Sequence, residues 1–261
     1  PAGIVNALVR GGEAQAHHQP GLGHGVLPPG EAGFAVFLIE VAQLSGRVAH
    51  NFGEQALPLD LQHGAQLGAH GLERCVADYN RRLVALTREA VGGSTLIAAD
   101  MTTTGQPVLP EDDAAYARLL DIYTEQAAAV LDAGVDLFFV ETMMGLTECM
   151  AAVEAIRALT DTAVVCTMSV QSDGRCYFDG SVYDAAQMLP ELGADAVGVN
   201  CSSGPDQLES VVRMVCAETP IPVVAKPNAG LPEIRDDGTA VYDMTPEAFA
   251  ARMSALVSCG A

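Results

Sequence analysis

From residue 94 onward, short apolar runs alternate with longer amphipathic stretches. The runs are STLIAAD (94–100), VDLFFVE (135–141), TAVVCTMSV (162–170), ADAVGVN (194–200) and IPVVAKPN (221–228). Such runs read as strands buried on both faces, unlike the alternating strands of a half-exposed antiparallel sheet. Helical patterns follow them over 112–133, 146–159, 182–192, 207–217 and 246–257. Strand and helix in regular alternation predict an α/β protein built on a parallel sheet.

The turns repeat as well. AGVD (133–136) precedes one strand, GAD (193–195) precedes another, and CGA (259–261) resembles the same turn cut short. Glycine there supplies a left-handed helix C-cap before the next strand starts. Strands start near 94, 135, 162, 195 and 222, a βα period of about 27 to 41 residues. That rhythm favours a (β/α)8 TIM-type barrel over a doubly wound sheet, and no GxGxxG follows a strand. The barrel is expected to be incomplete at its C-terminal strand and irregular at its N-terminus. Two regions result, an atypical N-terminal segment (1–69) and a barrel region (70–261). All six His lie within residues 1–70, where the one strand-like run is 34–41. His17, His18 and His24 fit no standard metal-site spacing and read as scattered surface residues.

A chain of 261 residues is long enough for one barrel domain. Hydrophobic residues make up 49% with no Trp, the profile of a soluble α/β enzyme. The formal net charge is −20, from 33 acids against 13 bases, and Lys226 is the only lysine. Such a surface repels phosphate backbones and anionic lipid, which argues against nucleic-acid and membrane partners. No apolar run reaches the roughly 18 residues that a membrane span needs. The chain opens on Pro1 rather than Met, as a fragment or processed product does. Its seven cysteines are odd in number and several lie inside apolar patterns, which fits a reducing cytoplasm better than a disulfide framework.

Glu141, Cys201, Lys226 and Asn228 fall at or just past the carboxyl ends of predicted strands, and Asp100 and Ser169 sit similarly on two others. In a barrel these ends point into one mouth. A carboxylate there, Glu141, can bind a substrate ammonium; it can equally cap the next helix or face solvent. Cys201 ends GADAVGVN and opens a Ser-Ser-Gly-Pro turn. It reads either as a metal thiolate or as a small buried hydrophobe, the usual fate of free Cys. One Cys cannot hold catalytic zinc, which takes three protein ligands. Cys166 and Cys176 flank a neighbouring loop, and alternation leaves open whether they face the mouth. Cys259 ends a helix and reads as structural. Lys226 could form a Schiff base with a carbonyl substrate, although a rim ion pair is the preferred reading.

Four stretches in this order resemble the homocysteine S-methyltransferase family, particularly the homocysteine-binding module of the cobalamin-dependent methionine synthase type. They are HGLERCVADYNRRLVALTREA (70–90), AGVDLFFVETMMGLTECMAAVEAIRA (133–158), GADAVGVNCSSGP (193–205) and PIPVVAKPNAGLPE (220–233). The resemblance implies a zinc-dependent S-methyltransferase that acts on homocysteine or a related thiol in methionine synthesis. It makes Cys201 the first zinc ligand, with a Cys pair of a GGCCG-like motif expected a few residues beyond Ala261. It gives Glu141 the substrate amino group and places Asn200 and Asn228 in the substrate site, with no further catalytic residue assigned. The methyl donor would be methylcobalamin, a sulfonium or a quaternary amine. The partners would be a small-molecule thiol and a corrinoid protein or domain, in the cytoplasm. Zinc would keep the bound thiol as a nucleophilic thiolate.

Two departures stand out. The family's DGAMGT-like first strand and TTNTF-like second strand are missing from residues 1–70, where only LPPGE (27–31) and Asn51-Phe52-Gly53 look faintly familiar. A divergent or frame-shifted segment would account for this. The family's GPTG-like turn after the third strand is replaced by Thr102-Thr103-Thr104-Gly105. The alternatives are an aldolase-type lyase using Lys226 and a catalytically incompetent fragment or corrinoid-protein partner.

Overall fold

The computed structural model describes residues 72–93, 95–230, 233–235, 240–242 and 244–261. The expectations for 1–69, including the histidines and the 34–41 run, lie outside the described residues. Each apolar run becomes a parallel strand: β1 Ala98–Thr102, β2 Leu137–Met143, β3 Val164–Met168, β4 Ala196–Asn200 and β5 Val223–Lys226. The helices are α1 Val76–Val91, α2 Asp113–Asp132, α3 Leu146–Arg157, α4 Val182–Glu191, α5 Pro205–Glu218 and α6 Pro246–Ser258. A short antiparallel hairpin that sequence did not foretell, β6 Glu233–Ile234 with β7 Ala240–Val241, follows β5.

The five strands lie side by side in chain order, β1-β2-β3-β4-β5. Sequential winding in one direction is the topology of a (β/α) barrel; a doubly wound sheet reverses partway. Among the described residues the strands form an open sheet with β1 and β5 at its edges. One face carries Phe138, Val140, Val164, Cys166, Met168, Val197 and Val199, packed beneath the helices in the main core. The other carries Leu137, Phe139, Val165 and Ala196, which form a smaller apolar cluster with Ala98 and Val224. Strand alternation continues that second face upward through Thr102, Glu141, Thr167, Asn200 and Lys226. The barrel interior is therefore apolar below and polar toward the carboxyl ends.

The repeated turns have a common cause. Arg157 donates from Nε and Nη2 to the Gly193 carbonyl (2.9 and 2.7 Å) and from Nη2 to Asp195 Oδ2 at 2.7 Å. Asp195 Oδ2 also accepts from the Val164 N–H at 2.9 Å. One unit earlier, Arg88 donates to the Gly134 carbonyl and to Asp136 Oδ2, both at 3.0 Å, and Asp136 Oδ2 accepts from the Ile97 N–H at 2.7 Å. The same arginine–aspartate clamp thus pins two helix-to-strand turns at the amino-terminal end of the sheet, the end that serves stability in barrels. Gly193 has φ 99°, and a Cβ there would sit 2.9 Å from Arg157 Nε, so glycine serves both the cap and the clamp.

Candidate functional site

Glu141 and Lys226 meet at the mouth, with Lys226 Nζ donating to Glu141 Oε2 at 2.7 Å. They stand on β2 and β5, three ladder spacings apart, about 14 Å in a flat sheet. Both side chains rise from the polar face, so contact across that span fits a sheet that curls toward that face, as a barrel wall does. Glu141 keeps 17% of its side chain exposed and Lys226 keeps 40%, while Nζ also lies 5.3 Å from the Phe139 ring centroid. Glu141 is not the cap of the next helix; that position is Gly145. For Lys226 the structure gives the rim ion pair. A carboxylate partner holds the ammonium in place, whereas Schiff-base attack needs the free amine.

Asn200 makes the second crossing. Its Oδ1 accepts from the Thr142 N–H at 3.0 Å and its Nδ2 donates to Thr142 Oγ1 at 2.7 Å. Asn200 is buried, and this bond pair passes over β3, which ends at Met168. Thr142 takes a left-handed φ of 59°, an outlier for a β-branched residue. The irregularity lets β2 run to Met143, two residues beyond the end expected from sequence. Cys201, next to Asn200, is the other non-glycine residue with positive φ among those described, at 50°. Its N–H donates to the Lys226 carbonyl at 3.3 Å and its thiol is exposed. The buried-hydrophobe reading of Cys201 is thereby excluded.

The VNCSSGP and KPNAG motifs are physically one unit. Asn228 Nδ2 donates to the Ser202 carbonyl at 2.8 Å, and Ser202 Oγ bonds the Asn200 carbonyl at 2.9 Å and accepts from the Val170 N–H at 2.9 Å. Ser169 Oγ donates to the Cys201 carbonyl at 3.1 Å. A Cβ on Gly204 would lie 3.3 Å from Gly230 Cα, so the two turns approach through their glycines.

The expected site residues Glu141, Asn200, Cys201 and Asn228 therefore share one mouth with Lys226. Cys166 and Cys176 do not join them. Cys166 sits on the helix-facing side, and its hydrogen bond with Cys149, followed by burial, raises the Cys149 thiol well above the usual range. Burial, reinforced by Asp179 and Asp184, pushes the Cys176 thiol up to about 12. Both are core groups. Among the described residues no group of three His, Cys, Asp or Glu can hold a metal.

One feature of the mouth has no counterpart in the sequence expectations. Glu148, 2% exposed on α3, accepts from Thr103 Oγ1 at 2.5 Å, from Thr104 N and Oγ1 at 2.6 Å each, and from Tyr123 OH at 3.0 Å. It fixes the Thr102-Thr103-Thr104-Gly105 turn that departs from the family pattern. The run of three threonines was the available signal, since hydroxyl-rich turns need an acceptor. Burial, with the charge and hydrogen bond of Glu148, raises the Tyr123 phenol well above 10.

A family model described as homocysteine S-methyltransferase matches residues 59–261. The chain belongs to the homocysteine S-methyltransferase family. Two curated relatives are named methionine synthase, from Mycobacterium tuberculosis and Mycobacterium leprae. Each is 32% identical over 148 residues, covering 55% of this chain and 12% of the relative. The chain thus matches about one-eighth of those proteins' length. Among solved structures, the Escherichia coli homocysteine methyltransferase MmuM is similar in its oxidized form, with TM-score 0.59 and 18% identity. Its metallated form gives TM-score 0.55 and 19% identity; each comparison covers 77% of this chain and 70% of the other. At this identity the likeness establishes the family's barrel-type fold. No described helix is long and apolar enough to cross a membrane.

Proposed function

We propose that this chain is the thiol-binding barrel of a methyltransferase that methylates homocysteine or a closely related thiol. The observation that carries the reading is the pairing, in one barrel mouth, of an exposed thiol (Cys201) with a carboxylate (Glu141), tied together by the Asn200–Thr142 bonds. Glu141 takes the substrate's ammonium by a charge-assisted hydrogen bond. Asn228 holds the Ser202 carbonyl and with it the turn that presents Cys201. The apolar floor of Phe139 and Val165 excludes water beneath them. Asn228 would contact the substrate, whereas Asn200, buried with its amide on Thr142, would act by positioning the site.

Zinc belongs to the reading only with ligands from outside the described residues, because Cys201 alone falls short of the three that a catalytic site takes. Zinc, when bound by thiolates, keeps a thiol ionised at neutral pH. The methyl donor carries its methyl on a good leaving group: a corrinoid, a sulfonium or a quaternary amine. The two methionine synthase relatives favour the corrinoid, with a corrinoid-binding protein or domain as partner. Seven free thiols suit a reducing cytoplasm.

The test uses the complete encoded protein, with zinc per chain and methionine formed from homocysteine measured for the parent and for Cys201→Ala. We expect loss of both in the variant. Full zinc occupancy in Cys201→Ala would refute the ligand assignment. Absence of any thiol methylation or homocysteine binding by the parent would refute the function.

A further inference from the structure

We propose that Lys226 recognises the carboxylate of the substrate, so that Glu141 and Lys226 together select a zwitterionic α-amino acid. The inference rests on the thiol-methyltransferase reading and extends it. The Glu141–Lys226 pair is only half used. Oε2 of Glu141 holds one Nζ proton, while Oε1 and the other Nζ protons have no hydrogen-bond partner among the described residues. Lys226 keeps 40% of its side chain exposed, so its free protons are reachable from the mouth. A ligand that carries both charges completes the pair, with its ammonium on Oε1 of Glu141 and its carboxylate on Nζ of Lys226. Four alternating charges then sit in a closed ring, and neither side adds an uncompensated charge to the site.

The rest of the chain makes this role specific. With a net charge of −20 and no other lysine, the chain repels an isolated carboxylate, and at this mouth Glu141 adds to that repulsion. Lys226 is the cation that the described mouth offers against it. Its position is well defined: Asn200 and Lys226 are register partners on β4 and β5, and the Lys226 carbonyl accepts from the Cys201 N–H. The same backbone unit therefore fixes both the thiol and the ammonium.

The test compares the complete protein with Lys226→Met, which keeps much of the side chain's length and its packing on Phe139 but removes the charge. Calorimetry measures binding of homocysteine, of its decarboxylated aminothiol and of its deaminated mercapto acid. We expect Lys226→Met to weaken homocysteine and the mercapto acid roughly 10- to 100-fold, the worth of one charge-assisted hydrogen bond. The aminothiol should change less than about threefold, a shift on the scale of a surface ion pair. Lys226→Arg, which keeps the charge, should retain the preference for carboxylate-bearing thiols. Equal weakening of all three ligands would make Lys226 a structural prop and overturn the proposal. Tighter binding of the aminothiol and homocysteine would make it a stand-in for the substrate ammonium and overturn the proposal equally. A parent that binds homocysteine while its variant keeps the carboxylate preference refutes this inference alone; a parent that binds none of the three refutes the function beneath it.

Discussion

Replacing Asn200 with Ala removes the link between the two halves of the mouth. Two half-buried hydrogen bonds to Thr142 disappear, at 3.0 and 2.7 Å, and the Thr142 N–H loses its acceptor. Each bond contributes about 0.5–1.5 kcal/mol net, and an unsatisfied donor at this half-buried position adds about 1 kcal/mol, for a total of roughly 2–4 kcal/mol. The strained Thr142 backbone, worth about 1–3 kcal/mol, is then free to relax, which returns part of that cost and moves Glu141. For a domain of this size the expected drop in Tm is roughly 5–15 °C. A double-mutant cycle tests the cause. Thr142→Gly sacrifices the Oγ1 bond but suits a φ of 59°, so alone it should be close to neutral. In its background, Asn200→Ala should cost about half as much as in the parent, since one of the two bonds is already gone. Thermal melts and homocysteine calorimetry on the four proteins give stability and site integrity together. An Asn200→Ala protein that melts within about 2 °C of the parent and binds homocysteine equally well would show that the bridge does not hold the site.

The neighbouring contacts set further expected outcomes. Tyr123→Phe loses the bonds to Glu148 and the Thr102 carbonyl, both at 3.0 Å, and should cost about 1–3 kcal/mol in denaturant melts; no change would contradict the Glu148 network. The raised Tyr123 phenol favours the folded state below the ordinary tyrosine value of 10, and that contribution fades as pH climbs above it. Tyrosinate absorbance at Tyr123 should therefore appear only with alkaline unfolding, and ionisation in the native state near pH 10 would count against burial as the cause. Gly198→Ala puts a Cβ 1.8 Å from the Val224 carbonyl oxygen, backbone that cannot step aside, and should abolish soluble folded protein; a soluble variant with the parent's melt would sink that reading. In thiol titration of the native protein Cys201 should react first, while Cys149 and Cys176 wait for denaturant; early reaction of Cys176 would contradict its elevated pKa.

Strand order and the location of the mouth were legible because both follow from apolar runs and their spacing. Two-sided burial makes Leu137–Val140 and Val164–Met168 read as strands without tertiary information. Glu141, Cys201 and Lys226 were legible as strand ends. Their mutual geometry was not. The Glu141–Lys226 contact joins residues 85 apart, on strands separated by two others. Thr142 and Asn200 lie 58 apart, and their bonds reset the end of β2 by two residues, which no local propensity encodes. Glu148 was hidden for the same reason: its acceptor role belongs to a turn on another strand unit.

The proposed head-group site gives a reason for a chain so rich in acids to keep its one lysine where it does. An acidic surface costs nothing at a site that binds a cation, but a zwitterion brings an anion too. Glu141 alone would bind the amino group and push away the carboxylate beside it, leaving the thiol's orientation unfixed. On the proposed reading, Lys226 in contact with Glu141 gives the two ends of an amino-acid head group distinct partners, on strand ends that also carry Cys201. The Asn200–Thr142 bridge then sets the distance between head-group partners and thiol, since it joins the residue after Glu141 to the residue before Cys201. On that reading, the groups among the described residues that would select an amino-acid thiol stand on strands β2, β4 and β5.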